Sequence, residues 1–161
     1  MPSPSSPPFS IQLDSPRSAG VAALLARSTD YLLALYPPES CMLADAETLA
    51  CAGTRFWVAR RDGRPIACCA LVAVAPEQAE IKRLYVDAGA RGLGLGDRLL
   101  RTLEHEARRQ ALRRVLLETG TRQPEALALY RKHGYTERGP YAGYRPDPLS
   151  IFMEKRLEIP S

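Results

Sequence analysis

Arg91-Gly92-Leu93-Gly94-Leu95-Gly96 is the stretch on which the fold of this 161-residue chain depends. It follows a strand-like run at residues 80–86 and precedes a helix-like run that begins at Asp97. Glycine permits backbone angles that a Cβ would forbid, and it lets a ligand approach the main chain closely. A glycine loop between a strand and a helix directs its free N–H groups, and the positive end of the helix dipole, at one point. The stretch therefore predicts an anion site, and phosphate is the anion that suits it best.

Spacing excludes two common phosphate-binding motifs. A dinucleotide fingerprint, G-x-G-x-x-G, would need a further glycine at position 97 or 99, where the chain has Asp97 and Leu99. A Walker loop ends in Gly-Lys followed by Ser or Thr, whereas Asp97-Arg98 follows the last glycine here. A tight turn that binds no ligand is the remaining alternative, because glycines also serve short connections.

Length and composition predict one globular domain. A hydrophobic share of 45% and a charged share of 25% are average values, so residues 9–161 are expected to fold as a single unit. Residues 1–8, rich in proline and serine, are expected to be a disordered tail. No apolar run has the length of a membrane span and the start does not resemble a signal peptide, which leads us to expect a cytoplasmic protein without a membrane partner.

Charge and metal-ligand spacing narrow the function further. A net charge of +4 suits anionic ligands but is modest for a nucleic-acid binder. The basic run formed by arginines at 108, 109, 113 and 114 is interpreted as a solvated helix end, so no nucleic-acid partner is expected. Neither histidine has a nucleophile at a recognisable spacing, and both are interpreted as structural. The cysteines lack metal-ligand spacing and are predicted to be small, reduced core residues, with no metal bound: Cys41, Cys51, Cys68 and Cys69.

Hydrophobic periodicity divides the chain into strands and helices. Residues 79–87 are predicted to form a strand with Glu80, Lys82, Leu84 and Val86 on one side. The strand at 115–118 follows a helix and should run parallel to it. The other expected strands are 9–13, 55–60, 65–74, 135–138 and 149–155, and the expected helices are 17–35, 45–51, 97–111 and 123–133. The fold class is therefore α/β (α+β), with a mixed, mostly antiparallel sheet of about six to seven strands and about four helices.

Two motifs carry a resemblance to a known family. Arg-x-x-Gly-x-Gly at 91–96, between an amphipathic strand and an amphipathic helix, resembles the coenzyme A pyrophosphate loop of the GNAT acetyltransferase superfamily. Residues 126–135, ALALYRKHGY, are similar to the superfamily's helix that ends in Tyr-x-x-x-Gly-aromatic. The resemblance covers most of the chain from residue 9 onward. It implies an acetyl-CoA-dependent N-acetyltransferase whose parallel strands splay apart to hold the thioester.

The resemblance also implies which residues bind the coenzyme. Backbone groups of Leu84, Tyr85 and Val86 would pair with the pantetheine arm. Relatives often have an asparagine at the start of the last helix, where it touches the coenzyme, and Gln123 occupies that position here. The pyrophosphate would be bound by the N–H groups of Arg91, Gly92, Leu93, Gly94, Leu95 and Gly96.

Acetyl transfer to an amine needs a base and an acid. An amine with a pKa of about 10.4 is almost all ammonium at neutral pH, so a base near the acceptor is useful, whether it acts directly or through a water molecule. Glu80, 11 positions before Arg91, is where histone-type members of the superfamily place a base glutamate, and Glu118 is a reserve base. Tyr130 matches the helix tyrosine to which relatives assign protonation of the departing thiolate. The structural alternatives are an exposed, ion-paired Glu80 and a Tyr130 that only packs in the core.

The acceptor itself is not identified by the sequence. Its pocket is expected between residues 31–43 and 139–148, with a small-molecule amine, or alternatively a peptide amine, as the acceptor. Plausible contacts are Tyr36, Tyr141, Tyr144 and Arg145. A non-catalytic acyl-CoA sensor or interaction module is the alternative function. The oligomeric state stays open, with a homodimer through an exposed sheet edge as one option.

Overall fold

The computed structural model describes residues 9–41 and 43–158, and the predicted tail at 1–8 lies outside these ranges. The helices are α1 (Val21–Leu35), α2 (Ala46–Leu49), α3 (Leu95–Arg109) and α4 (Pro124–Lys132), with single 3₁₀ turns at Pro38–Ser40 and Ala88–Ala90. The strands are β1 (Ser10–Leu13), β2 (Thr54–Arg61), β3 (Arg64–Ala75), β4 (Gln78–Val86), β5 (Arg114–Gly120), β6 (Thr136–Arg138) and β7 (Ser150–Arg156).

The strands form one mixed sheet, as predicted. Within the described ranges its order is β1-β2-β3-β4-β5-β7-β6, and of its strand pairs β4 and β5 alone are parallel. The last strand, β7, lies between β5 and β6 and is antiparallel to both. The predicted mixed, mostly antiparallel fold with one parallel pair is therefore confirmed.

The parallel pair opens partway along its length. Pairing between β4 and β5 extends from Gln78 with Arg114 to Ile81 with Leu117 and stops there. Both strands continue beyond this point, β4 to Val86 and β5 to Gly120. The backbone edge of β4 that faces β5 is therefore left open from residue 82 onward, and this confirms the predicted splay.

A β-bulge in β4 changes which side chains face each side of the sheet. Ala70 on β3 pairs with Lys82, whereas Cys68 pairs with Tyr85, so β4 has one extra residue in this interval. Arg83 within it has a left-handed backbone, with φ 54°. Leu84 packs with the cluster that contains Ile81, and Tyr85 packs with the opposite cluster. The predicted alternation was wrong beyond Lys82, because a bulge reverses the facing of every later residue.

Helices cover both faces of the sheet. The apolar stripe of α3, including Leu99 and Leu103, is fully buried against one face. Leu24 of α1 is buried in a separate cluster on the other face. Adjacent Cys68 and Cys69 lie in the two different clusters, as expected for neighbours in a strand.

Two of the four cysteines do not lie in the core. Cys68 and Cys69 are buried, but Cys51 is exposed and Cys41 is half-buried. All four are free thiols. The prediction of core positions was therefore wrong for Cys41 and Cys51, because both lie outside the sheet in connections whose packing local sequence does not specify.

Candidate active site

The glycine loop presents an open backbone at the start of α3. Gly92 and Gly94 both have left-handed backbones, with φ 84° and φ 74°, and Gly94 is the N-terminal cap of the helix. A Cβ added at either glycine would have no heavy atom within 4 Å, so the space beside the loop is free. Because the first N–H groups of a helix have no helical acceptor, this space suits an anion.

Charged side chains on and beside the glycine loop have partners from α1 and α4. The Arg91 guanidinium lies over the Tyr31 ring of α1, 5.1 Å from its centroid. Asp97, in the first turn of α3, is 2.8 Å from His133 Nε2 and 2.9 Å from Lys132 Nζ. The hydrogen bond from His133 and the contact with Lys132 lower the pKa of Asp97. Two groups at the end of α4 therefore offset the only acidic side chain in the first turn of α3.

A cavity of 540 Å³ runs from this loop through the opening between β4 and β5. Leu93, which is 39% exposed, does not line this cavity, whereas the other five residues of the loop do. The predicted coenzyme residues that line the cavity are Leu84, Tyr85, Val86, Arg91, Gly92, Gly94, Leu95, Gly96 and Gln123. The structure thus brings the two sequence motifs, which are far apart in the chain, to one cavity.

Glu118 lies on the wall of the cavity near its far end. It stands on β5 beyond the last residue that pairs with β4. Burial raises the pKa of Glu118 to about 7, and nearby Lys82 acts in the opposite direction. A carboxyl group with this pKa can both accept and release a proton at neutral pH.

Glu80 is placed differently. It is 4% exposed and is not among the residues that line the cavity. Its Oε2 accepts hydrogen bonds from Tyr141 Oη at 2.5 Å and Tyr144 Oη at 2.7 Å, and it lies 3.4 Å from Lys82 Nζ. The structural alternative of an exposed carboxylate does not describe Glu80, since its partners enclose it.

Tyr130 is buried in the core and also lines the cavity. Within the part of the chain that the structure describes, its hydroxyl makes no hydrogen bond. Burial raises the pKa of Tyr130 well above its usual range, so the phenol stays protonated at neutral pH. The packing role and a proton-donor role are therefore compatible in one side chain.

Tyr36 packs against the end of β5, a contact that the sequence did not reveal. Tyr36 follows α1 and is 6% exposed. Its hydroxyl accepts a hydrogen bond from Arg122 N at 2.9 Å and donates one to Gln123 Oε1 at 3.2 Å. A Cβ at Gly120 would lie only 1.9 Å from that hydroxyl oxygen. Gly120 is therefore needed for space, and a lone glycine after a strand gives no sequence signal of that need.

Of the two segments predicted to line the acceptor pocket, only residues 31–43 contribute to the cavity wall. Tyr31, Tyr36 and other residues of 31–43 line the cavity, whereas none of the lining residues belongs to 139–148. Tyr141 and Tyr144 instead point at Glu80, and Arg145 is exposed. Ser40 Oγ donates to Asp147 Oδ2 at 2.9 Å, which ties the loop between β6 and β7 to the segment after α1.

Two further observations concern only residues 9–41 and 43–158. No three His, Cys, Asp or Glu side chains are grouped as a metal site would require. No helix in these ranges is long and apolar enough to cross a membrane.

Comparison with known proteins agrees with this geometry. The model of the acetyltransferase (GNAT) family matches residues 23–135. An IAA acetyltransferase of Azospirillum brasilense is 46% identical over 94% of this chain and 99% of its own length. A candidate acyl-CoA N-acyltransferase of Klebsiella pneumoniae has a similar structure, with 34% identity and a TM-score of 0.77 over 93% of this chain and 98% of its own. The PaiA N-acetyltransferase of Thermoplasma acidophilum, in complex with coenzyme A, shares the fold at 18% identity, with a TM-score of 0.71 over 92% of this chain and 99% of its own. The chain belongs to the GNAT acetyltransferase family.

Proposed function

We propose that the protein transfers the acetyl group of acetyl-CoA to a primary amine of a small molecule, with Glu118 as the base and Tyr130 as the acid. The observation that supports this most directly is the single cavity that joins the glycine loop to Glu118 and Tyr130. The name of the 46% identical relative and the coenzyme A in the Thermoplasma acidophilum structure support acetyl-CoA as the donor.

The open edge of β4 and the start of α3 would hold the coenzyme. Leu84, Tyr85 and Val86 lie on β4 beyond its last pair with β5, so their backbone groups can bond to the pantetheine arm on that side. The N–H groups from Arg91 to Gly96 would bind the pyrophosphate. The amide of Gln123 already bonds to Tyr36, and its remaining groups would contact the coenzyme from α4.

Glu118 would remove the proton of the acceptor. Producing a free amine with a pKa of about 10.4 at pH 7 costs roughly 4.6 kcal/mol, from about 3.4 pH units at about 1.36 kcal/mol each. A base with a pKa of about 7 recovers a proton more readily than an ordinary carboxylate. When bound, acetyl-CoA supplies a thioester that the amine attacks directly, so no covalent enzyme intermediate is required. That Glu80 is the base stays a prediction, and the variants below distinguish the two carboxylates.

Tyr130 would donate a proton or a hydrogen bond to the departing thiolate. Its phenol is protonated at neutral pH, and its hydroxyl makes no hydrogen bond to any described residue. A donor that is already desolvated in the fold loses little solvation when the sulfur approaches it.

Turnover of an amine is the direct test. The purified protein is incubated with acetyl-CoA and a panel of primary amines, and in a separate reaction with IAA, because the A. brasilense relative is named after it; thiol release is followed. Steady release that depends on the acceptor is expected. Coenzyme binding without release across the panel would contradict the proposal and favour an acyl-CoA sensor.

Coenzyme A alone should stabilise the protein. At about 100 times its dissociation constant a ligand adds roughly 2.7 kcal/mol to the free energy of unfolding, a rise in Tm of about 5 to 10 °C for a chain of this size. Gly94→Val should lose most of this rise, because a β-branched residue strains the left-handed backbone that opens the loop. Gly139→Ala is the control, since its Cβ would meet nothing within 4 Å. No shift of the parent with millimolar coenzyme A would contradict the coenzyme site.

Tyr130→Phe should lower kcat by about 10²-fold or more while the Tm rise with coenzyme A is retained. The variant keeps the ring that packs in the core and removes only the hydroxyl that faces the cavity. The measurement is thiol release at saturating acceptor, with thermal stability as the folding control. An unchanged kcat would exclude Tyr130 from the reaction.

A further inference from the structure

The carboxylate of Glu80 is already bound by several side chains, which a catalytic base would have to leave in order to take up a proton. Two phenol hydroxyls and the Lys82 ammonium converge on its Oε2, a set of donors that suits a carboxylate anion. The carboxylate is almost wholly buried and does not reach the cavity wall. A base reaches the proton that it removes directly or through one water, and a carboxylate oxygen enclosed by three donors is poorly placed for either, so this placement points to another task.

The partners of Glu80 belong to the loop between β6 and β7. Tyr141 and Tyr144 are both in this loop, and their rings contact each other and Phe152 of β7, with centroid distances of 5.2 to 5.8 Å. The Lys82 ammonium also bonds to Tyr144 Oη and lies 4.8 Å from that ring's centroid. Through these contacts β4 fastens a loop whose Asp147 also bonds to Ser40, a residue of the cavity wall.

The same carboxylate lies on the strand beside Glu118: Glu80 pairs with Leu116 of β5, and Glu118 is two residues further along, on the same face of that strand. The two negative charges oppose each other, and Glu80 also holds Lys82, which would otherwise favour the ionised form of Glu118. The titratable and charged groups around Glu118 from all described elements are Glu80 and Lys82 on β4, Tyr141, Tyr144 and Asp147 in the β6–β7 loop, Tyr36 and Cys41 after α1, and Tyr130 on α4. Among these, Lys82 is the one basic side chain.

We infer that Glu80 is a positioning residue for acetyl transfer: its buried carboxylate fastens the β6–β7 loop, which bonds to Ser40 of the cavity wall, and places a negative charge beside Glu118. The inference rests on the proposed role of Glu118. Glu80 and its partners Tyr141, Tyr144 and Lys82 would then serve the reaction without contacting the substrate.

Glu80→Gln tests the charge. Glutamine has the same shape, and its amide oxygen can accept hydrogen bonds from both tyrosines, so the loop should stay fastened. Carbon-13 NMR of glutamate carboxyl groups, with the Glu118 signal assigned by its loss in Glu118→Gln, follows the titration without any acceptor. In Glu80→Gln the midpoint of Glu118 should fall by about one pH unit. Glu137→Gln is the control, because Glu137 is exposed on β6 and pairs with Arg131.

The rate profile of Glu80→Gln then connects the charge to the reaction. With an acceptor that does not titrate between pH 5 and 9, the acid limb of kcat/KM should move to lower pH together with the NMR midpoint, and turnover at high pH should be retained. Loss of turnover at every pH would make Glu80 the base and overturn the inference. The inference would also be overturned if the titration midpoint of Glu118 did not move in Glu80→Gln, or if it moved while the acid limb of kcat/KM stayed in place. If the parent acetylates no amine, the proposed function fails, and the NMR titration still reports the coupling by itself.

Tyr141→Phe combined with Tyr144→Phe tests the fastening. The rings and their packing on Phe152 remain, while both hydrogen bonds to Glu80 are lost. Because two hydrogen bonds that hold the loop are lost, amide hydrogen exchange in residues 139–149 should accelerate by about tenfold or more. Unchanged exchange in this loop would overturn the inference even if Glu80→Gln did not fold.

Discussion

Glu118→Gln is expected to lower kcat/KM by about 10²- to 10⁴-fold at pH 7, the range that a general base contributes. The parent should show kcat/KM rising through a pH of about 7 as Glu118 loses its proton, and the variant should lack this inflection. The deficit should shrink as the pH rises toward the pKa of the acceptor, because free amine becomes abundant without a base. Thiol release across pH with one acceptor measures all three effects.

The same substitution should make the protein more stable at high pH. Because the pKa of Glu118 is raised from 4.5 to about 7, the folded state holds this proton more tightly than the unfolded chain does. Ionisation therefore lowers the free energy of unfolding as the pH rises through this interval, by no more than about 3 kcal/mol. Glutamine does not ionise, so the Tm of Glu118→Gln should exceed that of the parent at pH 8, by up to roughly 10 °C.

Controls separate the catalytic effect from damage to the fold. Glu137→Gln should change neither the rate nor the dependence of Tm on pH, because its carboxylate is 60% exposed. The Tm rise with coenzyme A should be the same in Glu118→Gln and the parent. A rate for Glu118→Gln within twofold of the parent, with Glu80→Gln inactive, would move the base role to Glu80.

Gly120→Ala is expected to destabilise the protein by about 2 to 4 kcal/mol, a fall in Tm of roughly 4 to 16 °C. The new Cβ would lie 1.9 Å from the Tyr36 hydroxyl oxygen and 2.2 Å from its Cζ, so the whole ring must move. Moving it breaks the hydrogen bonds that the hydroxyl makes with Arg122 N and Gln123. Thermal unfolding measures the loss, and coenzyme affinity should fall with it because Gln123 lines the cavity.

A double-mutant cycle tests the stated cause. Tyr36→Ala removes the ring that the new methyl group meets, so Tyr36→Ala with Gly120→Ala should cost less than the sum of the two single variants. Gly139→Ala is the matched control, because its added methyl group contacts nothing and its Tm should stay within a few degrees of the parent. A strictly additive cycle would show that the two residues do not conflict.

The fold was largely predictable because its signals are local. The strand-loop-helix at residues 80–111 depends on glycine spacing and helical periodicity within one short segment. A strand–helix–strand connection then favours β5 running parallel to β4. The order of the last strands was not predictable in this way: β7 lies between β5 and β6, and only side-chain packing across distant segments decides that.

In the candidate site, too, the features with local sequence signals were predictable and those that depend on distant contacts were not. The glycine loop and Tyr130 were predicted from their motifs, and both line one cavity. The sequence ranked Glu80 before Glu118 as the base but could not show which carboxylate is accessible. The bulge at Arg83, the splay of β5 and the tyrosines of the β6–β7 loop together decide that. Each of these depends on contacts between residues far apart in sequence.

The sequence by itself determined the family, the mixed sheet and the glycine loop at the start of α3, because backbone freedom at glycine and hydrophobic period are properties of neighbouring residues. Only the tertiary structure decided that Glu118 lines the cavity while Glu80 is enclosed, and that Gly120 makes room for Tyr36. The physical reason is that burial and steric contact are set by the partners of a residue, and those partners come from other parts of the chain.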